Sequence, residues 1–119
     1  MSSSWHIKKS NHNIDACNYM NVKTPQYMDW EVVSIFYSSL HLINAYFEKF
    51  NPPVPSKHNF RNERVRRDPN LTKIRAPYLS LYTVSRSVRY DRDVSNDSEV
   101  KAAMRDYNLI KNHLKNYGI

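Results

Sequence analysis

The spacing of apolar side chains along the chain predicts α-helices. The strongest pattern begins near residues 25–29 and ends at about Phe50, and its apolar positions cover most of the helix circumference. Such a pattern predicts a central helix that neighbouring helices contact on several sides. One narrow polar stripe interrupts it: Glu31, Ser34, Ser38, His41 and Glu48. We predict that His41 hydrogen-bonds to a neighbouring helix, and a role in lining a central cleft is the alternative. Asp29 is predicted to cap the start of this helix.

Three further segments have helical spacing. A weak pattern covers about residues 4–21, and clearer patterns cover about residues 71–90 and 97–117. Pro77 fits the first turn of a helix, so the residues just before it form either a separate turn or a kinked start. Asn96 or Asp97 is predicted to cap the last helix, and Gly118 to end it.

A proline-rich connector at residues 51–55 ends the central helix abruptly. Proline fixes φ and also moves the preceding residue out of the helical region. A short polar helix is predicted next, at about residues 57–67, with Ser56 as its N-cap and few apolar positions to bury. The predicted fold of residues 1–119 is therefore a single all-α domain. It is an up-and-down bundle of four main helices plus a short basic helix in the middle connection.

The composition favours the same fold and predicts a cytoplasmic protein. The chain has one glycine, whereas all-β folds use glycine in tight turns and bulges. The single cysteine, Cys17, cannot form an internal disulfide and fits a reducing compartment; we expect it to be a small buried side chain. Residues 1–13 have no signal-peptide pattern. No segment approaches the roughly 20 apolar residues that span a bilayer, so we expect no membrane association.

Positive charge is concentrated in one stretch of the chain. The sequence has 18 Lys and Arg residues against 11 Asp and Glu residues, a formal net charge of +7. Between Lys57 and Arg75, seven residues are basic and two are acidic. A concentrated basic patch is typical of proteins that bind a polyanion, mainly nucleic acid. A solvated surface that keeps the protein soluble is the alternative.

The predicted short helix carries the candidate anion-binding residues. His58 and Arg61 are three positions apart and share one face of a helix, which Arg64 continues. The full candidate set is Lys57, His58, Arg61, Arg64, Arg66 and Arg67. Arginine can hold a phosphate through two parallel hydrogen bonds, so this face is predicted to bind phosphate. An ordinary solvated helix is the alternative.

A second basic and aromatic group closes the predicted helix at residues 71–90. Its members are Arg86, Arg89, Tyr90 and Arg92. Aromatic rings interleaved with arginine can stack nucleobases, and an ion pair of Arg89 with Asp91 or Asp93 is the alternative. The five histidines lack the paired spacing with carboxylates that a metal site needs. Neither a metal nor another cofactor is therefore expected.

Three features in this order resemble the HEPN domain family. The central helix carries FYSSLHLINAYF at residues 36–47, the proline-rich connector leads into SKH at residues 56–58, and the fourth helix closes with VRY at residues 88–90. The resemblance covers about Trp5 to Leu114. It implies a helical bundle that is frequently homodimeric and acts in toxin–antitoxin or defence systems. It also implies either metal-independent RNA cleavage or a module that binds RNA, a nucleotide or a protein partner such as a nucleotidyltransferase.

Catalytic members of that family carry an arginine, a polar residue and then a histidine after four to six intervening positions. The histidine acts on the 2′-hydroxyl proton and the arginine stabilises charge on the phosphate. No arginine of this chain has a histidine at that spacing. The remaining catalytic candidates are His58 with Arg61, and Arg105 with His113, which lie about 12 Å apart along a helix axis.

The missing motif favours a non-catalytic HEPN-like module that binds RNA, a nucleotide or a protein partner. A metal-independent endoribonuclease with displaced catalytic residues is the first alternative. A structural partner of a nucleotidyltransferase is the second.

Overall fold

The computed structural model describes residues 2–23, 27–90 and 96–119, and it confirms the predicted all-α bundle. The α-helices are α1 (Ser3–Lys23), α2 (Met28–Phe50), α3 (His58–Arg67), α4 (Arg75–Tyr90) and α5 (Asp97–Leu114). Short 3-10 helices at Pro69–Ile74 and Lys115–Tyr117 precede α4 and follow α5. The four long helices form the bundle, and α3 is the short basic helix of the middle connection. Within these ranges, no helix is both long and apolar enough to cross a membrane.

The core is centred on α2, which packs against α1, α4 and α5. Its apolar side chains are buried on several sides of the helix, as the circumference pattern predicts: Val32, Ile35, Phe36, Ile43 and Phe47 are all 0% exposed. The facing helices add Tyr78, Leu81, Ile110 and Leu114. Full burial of each such side chain contributes about 1.5–3 kcal/mol. This burial sets which face of each helix turns inward.

The interface between α1 and α2 is polar. Hydrogen bonds join successive turns of the antiparallel pair: Ser3 Oγ donates to the Ala45 carbonyl at 3.1 Å, His6 Nδ1 lies 2.9 Å from His41 Nδ1, and Ser10 Oγ lies 2.8 Å from Ser38 Oγ. The polar stripe of α2 is thus the face that receives α1. The predicted hydrogen bond of His41 to a neighbouring helix is confirmed.

Cys17 lies on the same face of α1 and is 2% exposed. Its predicted role as a small buried side chain is confirmed. Burial, followed by the charge of Glu31, raises the pKa of the thiol to about 11. The thiol therefore stays protonated and poorly nucleophilic near neutral pH.

The helix starts differ from two of the predicted caps. Tyr27 is the N-cap of α2 and makes no side-chain cap hydrogen bond, whereas Asp29 lies in the first turn, where its charge suits the positive end of the helix. Lys57, not Ser56, is the N-cap of α3. Pro77 lies in the first turn of α4, and a 3-10 helix precedes that turn. The start of α4 is therefore a separate turn and not a kink.

The predicted cap at the start of α5 is confirmed, whereas α5 itself ends at Leu114 and Gly118 caps the 3-10 helix Lys115–Tyr117 that follows. The side chain of Asn96 accepts a hydrogen bond from the backbone N–H of Glu99 at 2.9 Å. Gly118 adopts a φ of 75° after the final 3-10 turn, a conformation that favours glycine because it has no Cβ. The predicted pairing of Arg89 with Asp91 or Asp93 lies outside the described residues, as does Arg92.

Candidate anion-binding site

The basic helix α3 places His58 against α2 and α4, among aromatic rings and guanidinium groups. The His58 ring centroid is 5.8 Å from that of Phe36 and 5.5 Å from that of Tyr82. Arg61, one turn later on the same face of α3, has its Nη1 3.4 Å from His58 Nδ1. We define the His58 cluster as His58, Arg61, Tyr82, Arg86 and Arg89.

One face of α4 supplies the rest of this cluster. Tyr82, Arg86 and Arg89 follow at steps of four and three residues, which places them side by side on a helix. Arg86 Nη1 donates to Tyr82 Oη at 3.4 Å. Arg89 donates from Nη1 to the Tyr37 hydroxyl at 2.7 Å and from Nε to the Ser85 carbonyl at 3.2 Å. These contacts hold the Arg89 guanidinium in one orientation beside the ring of Tyr37.

His58 is held in its neutral form. Burial lowers its pKa below the ordinary value, and the charges of Arg61, Arg89 and Arg86 lower it further. Arg61 and Arg89 form no ion pair with any carboxylate of the described residues; their hydrogen-bond partners are neutral oxygens and His58. The cluster therefore concentrates positive charge beside a neutral imidazole. Phosphate is the anion whose oxygens best match several guanidinium donors.

Arg89 also borders a cleft of about 310 Å³ between the start of α2 and the end of α4. Its other lining residues are Asp29, Trp30, Val33 and Val88. Trp30 is 56% exposed, so a flat ring is accessible next to the guanidinium. A ring and an arginine in this arrangement can stack a nucleobase.

Arg61, a predicted anion-binding and catalytic residue, points into the protein. It is 5% exposed. Its Nε donates to Asn44 Oδ1 at 2.8 Å, and its Nη2 donates to the Pro55 carbonyl at 2.6 Å. Most of its donors therefore serve to fix the connector against α2. Its charge contributes to the field at His58, but the side chain has little surface to offer a ligand.

Arg64 is likewise engaged by the protein itself. It donates hydrogen bonds to the carbonyls of Pro53 and Asn51. Its guanidinium lies 4.2 Å from the ring centroid of Phe47. Arg61, Asn62 and Val65 are buried on one face of α3, so the expectation that this helix has few positions to bury is wrong for that face.

The other predicted basic residues of α3 stay at the surface. Lys57 Nζ lies 6.0 Å from the ring centroid of Phe60. Arg66 and Arg67 both pair with Glu63, at 3.7 and 2.9 Å. Exposed pairs of this kind contribute about 0–1 kcal/mol, so both arginines can exchange their partner for a polyanion.

Arg105 and His113 remain apart on α5. Arg105 is exposed, and its charge acts on the neighbouring Asp106. His113 lies one residue before the end of α5 and donates from Nε2 to the Asn70 carbonyl at 2.6 Å. Eight helical steps separate them by about 12 Å along the axis. One phosphate cannot bridge that distance within a single chain.

From the sequence, the basic face of α3 and the basic and aromatic end of α4 are two separate candidate sites. In the structure, His58 of α3 and the end of α4 lie together in one cluster. Tyr82 is the member of the cluster that the sequence interpretation missed. Its four-residue spacing to Arg86 was the available signal. Trp30 fits the apolar spacing of α2, although more than half of it is exposed.

Fold and site together define a class: an all-α bundle with a basic and aromatic cluster where α2, α3 and α4 meet. Within the described ranges, no group of three or more potential metal ligands lies together. Comparisons with protein-family models, curated proteins and solved structures find no match. The function is therefore inferred from the chemistry of the chain's own residues.

Proposed function

We propose that the protein is a non-catalytic HEPN-like module that binds RNA through phosphate contacts at the His58 cluster. The observation that carries this proposal is the geometry of the cluster: the His58 ring lies 5.5 Å from that of Tyr82, and Arg86 Nη1 donates to the Tyr82 hydroxyl at 3.4 Å. The resemblance to the HEPN family supports the same class. It also suggests a homodimer in a toxin–antitoxin or defence system, and the single cysteine favours a cytoplasmic location.

The geometry of the cluster suits a phosphodiester. Arg86 and Arg89 come from one helix and His58 from another, so donors surround an anion from two sides. The exposed ring of Trp30 borders the same region and can stack a base next to a bound phosphate. A carboxylate-bearing protein partner would use the charges and leave the ring without a role. RNA uses both.

Replacing Arg86 and Arg89 together with glutamine is expected to weaken RNA binding. Each phosphate contact to a single strand contributes about 0.7 to the slope of log K against log salt, so losing two contacts lowers that slope by about 1.4. The measurement is fluorescence anisotropy of a labelled RNA oligonucleotide between roughly 50 and 200 mM salt.

The matched control replaces Lys8 and Lys9, both exposed on α1, with glutamine. This variant loses the same net charge away from the cluster and is expected to keep the slope of the unmodified protein. An equal decrease of the salt slope in both variants would show that RNA binding depends only on the overall charge of the protein. No RNA binding by the unmodified protein would reject the proposal.

Endoribonuclease activity is the second candidate, and the state of His58 favours it. A neutral imidazole is the form that removes a proton from a 2′-hydroxyl. The nearby arginines can stabilise the charge that develops on the phosphate. Among the predicted catalytic residues, His58 is therefore the one that combines a neutral imidazole with neighbouring arginines.

If RNA is cleaved, replacing His58 with alanine is expected to slow cleavage by about 10²–10⁴-fold. Replacing His113 with alanine should have little effect on chemistry, because that ring bonds the Asn70 carbonyl. The assay uses purified protein with a chelator present. Because the pKa of His58 is lowered, cleavage should persist below the ordinary histidine pKa. Intact RNA after long incubation would exclude cleavage, and RNA binding would remain the proposed function.

A further inference from the structure

A second basic and aromatic surface surrounds the turn at Pro69 and Asn70, at the opposite end of α3 from His58. Two clefts of about 580 and 420 Å³ adjoin there, and Pro69 and Asn70 border both. We define the Asn70 groove by six of the residues that line these clefts, each with an aromatic or a basic side chain: Phe50, Arg64, Arg67, Lys73, His113 and Tyr117.

The groove contains an aromatic surface that is held in place. Phe50 is 49% exposed, and its ring centroid lies 5.2 Å from that of Tyr46 and 5.9 Å from that of Tyr117. Tyr46 and Tyr117 contact each other edge to face at 5.4 Å. Lys49 donates to the Tyr117 carbonyl at 3.0 Å. The exposed part of Phe50 is therefore positioned before any ligand binds.

The turn between the two clefts is fixed by side chains. His113 Nε2 donates to the Asn70 carbonyl at 2.6 Å, and Asn70 Nδ2 donates to the Tyr46 hydroxyl at 3.1 Å. Asp68 Oδ1 accepts a hydrogen bond from the Asn70 backbone N–H at 2.9 Å, which ties the Asp68 carboxylate to the backbone. A fixed turn keeps the two clefts in a constant relation.

Accessible cations flank this surface. The Arg67 side chain is 80% exposed, and Lys73 is exposed on the other side of the turn. Aromatic rings between accessible cations are the arrangement with which proteins bind single-stranded nucleic acid, because every base has a flat face to stack.

We propose that the Asn70 groove is a base-stacking subsite for single-stranded RNA, with Phe50 as the stacking ring. This inference rests on the proposed function, since the His58 cluster holds a phosphate of the same strand. Nine helical steps separate His58 from Arg67, which is about 14 Å along α3. At about 3.4 Å per stacked nucleotide, a strand of about four nucleotides joins the two sites.

The proposal specifies single strands because a duplex keeps its base faces stacked inside the helix. Only unpaired bases can turn onto a protein ring. A duplex can reach the cations of the groove but not the face of Phe50.

The test replaces Phe50 with leucine, which keeps apolar contact with Tyr46 and removes the stacking ring. Binding of labelled oligouridine of about ten nucleotides, within the usual site size, is expected to weaken about tenfold. An abasic strand of equal length should bind both proteins equally, since it has no bases to stack. Replacing the exposed Tyr19 of α1 with leucine is the matched control and should change nothing.

A second variant, Arg67→Gln with Lys73→Gln, separates charge from stacking. It is expected to lower the salt slope by about 1.4, compared with no change in the slope for the Lys8 and Lys9 control. Circular dichroism checks that both groove variants remain helical.

Oligouridine binding that Phe50→Leu leaves unchanged would overturn this inference, and so would equal weakening of oligouridine and the abasic strand. If only Arg86→Gln with Arg89→Gln weakens binding, the proposed function stands and the groove has no part in it. If only the groove variants weaken binding, the groove binds RNA and the His58 cluster does not.

Discussion

Replacing Arg61 with alanine is expected to lower the free energy of unfolding by about 3 kcal/mol. The substitution removes the donors that bond Asn44 Oδ1 and the Pro55 carbonyl. Asn44 is 5% exposed, and a buried acceptor that loses its donor costs about 1–3 kcal/mol. Loss of the packed side chain adds to this effect. Urea unfolding followed by circular dichroism measures the change.

The matched control is Arg66→Ala, on the exposed side of the same helix. Its side chain is 53% exposed and pairs with Glu63 at 3.7 Å, so we expect a change within about 0.5 kcal/mol. Arg61→Lys should be intermediate, because an ammonium group cannot reproduce the spread of guanidinium hydrogen bonds. Equal stability of the Arg61→Ala and Arg66→Ala variants would contradict a structural role for Arg61.

The second large effect concerns pH and the two histidines between α1 and α2. The free energy of unfolding is expected to fall as the pH decreases from 6.5 to about 4. Burial, followed by the charges of His6, Lys9 and Arg61, lowers the pKa of His41 from 6.5 to about 4, and burial also lowers that of His6. The unfolded chain binds these protons at the ordinary pKa, so protons favour unfolding in this window.

Screening by solvent limits the change in the free energy of unfolding. Because His41 is only partly buried, we expect about 1–2 kcal/mol from the pair. The bond between His6 Nδ1 and His41 Nδ1 at 2.9 Å also needs one nitrogen to accept. Two imidazolium rings are both donors, so acid replaces the hydrogen bond with repulsion between α1 and α2.

Urea unfolding at a series of pH values from neutral to about 4 tests this prediction. A variant with both His6 and His41 changed to glutamine should lose most of the dependence between pH 6.5 and about 5, where ordinary carboxyl groups are still ionised. His58, whose pKa is also lowered by burial, supplies the remainder. The exposed His12, changed to glutamine, serves as the control and should keep the dependence of the unmodified protein. An unchanged pH profile in the double variant would show that the pair does not cause it.

The role of Arg61 affects how RNA-binding experiments are designed. Replacing every arginine of α3 with a neutral residue would remove positive charge. It would also remove the hydrogen bonds and the Phe47 contact through which Arg61 and Arg64 hold the proline-rich connector against α2. A loss of RNA binding in such a variant would report loss of structure. Arg86, Arg67 and Lys73 are the more informative positions because they lie at the surface.

The sequence by itself determined the all-α class, the central place of α2 and the capping residues Asn96 and Gly118. These features depend on interactions between neighbours along the chain. Apolar side chains at helical spacing bury one or several faces, a side-chain oxygen at Asn96 accepts from the first turn, and glycine at position 118 adopts a positive φ. Each requires only residues within a few positions of one another.

Only the tertiary structure decided which basic residues face a ligand. The spacing of α3 places His58, Arg61 and Arg64 on one face, but it does not say whether that face meets solvent or α2. Arg61 bonds a side chain 17 residues away. Arg61 and Arg64 on this face of α3 therefore bind the proline-rich connector. Arg86 and Arg89, which are distant in the sequence, lie in the His58 cluster.

The physical reason is that an arginine has nearly the same helix propensity whether its guanidinium group is buried in the protein or faces a ligand. An arginine is equally compatible with a helix whether it bonds buried carbonyls or a phosphate. The choice depends on which acceptors the folded chain brings within about 3 Å. For α3 those acceptors are Asn44 and the carbonyls of the proline-rich connector, and their positions are set by the packing of the whole bundle.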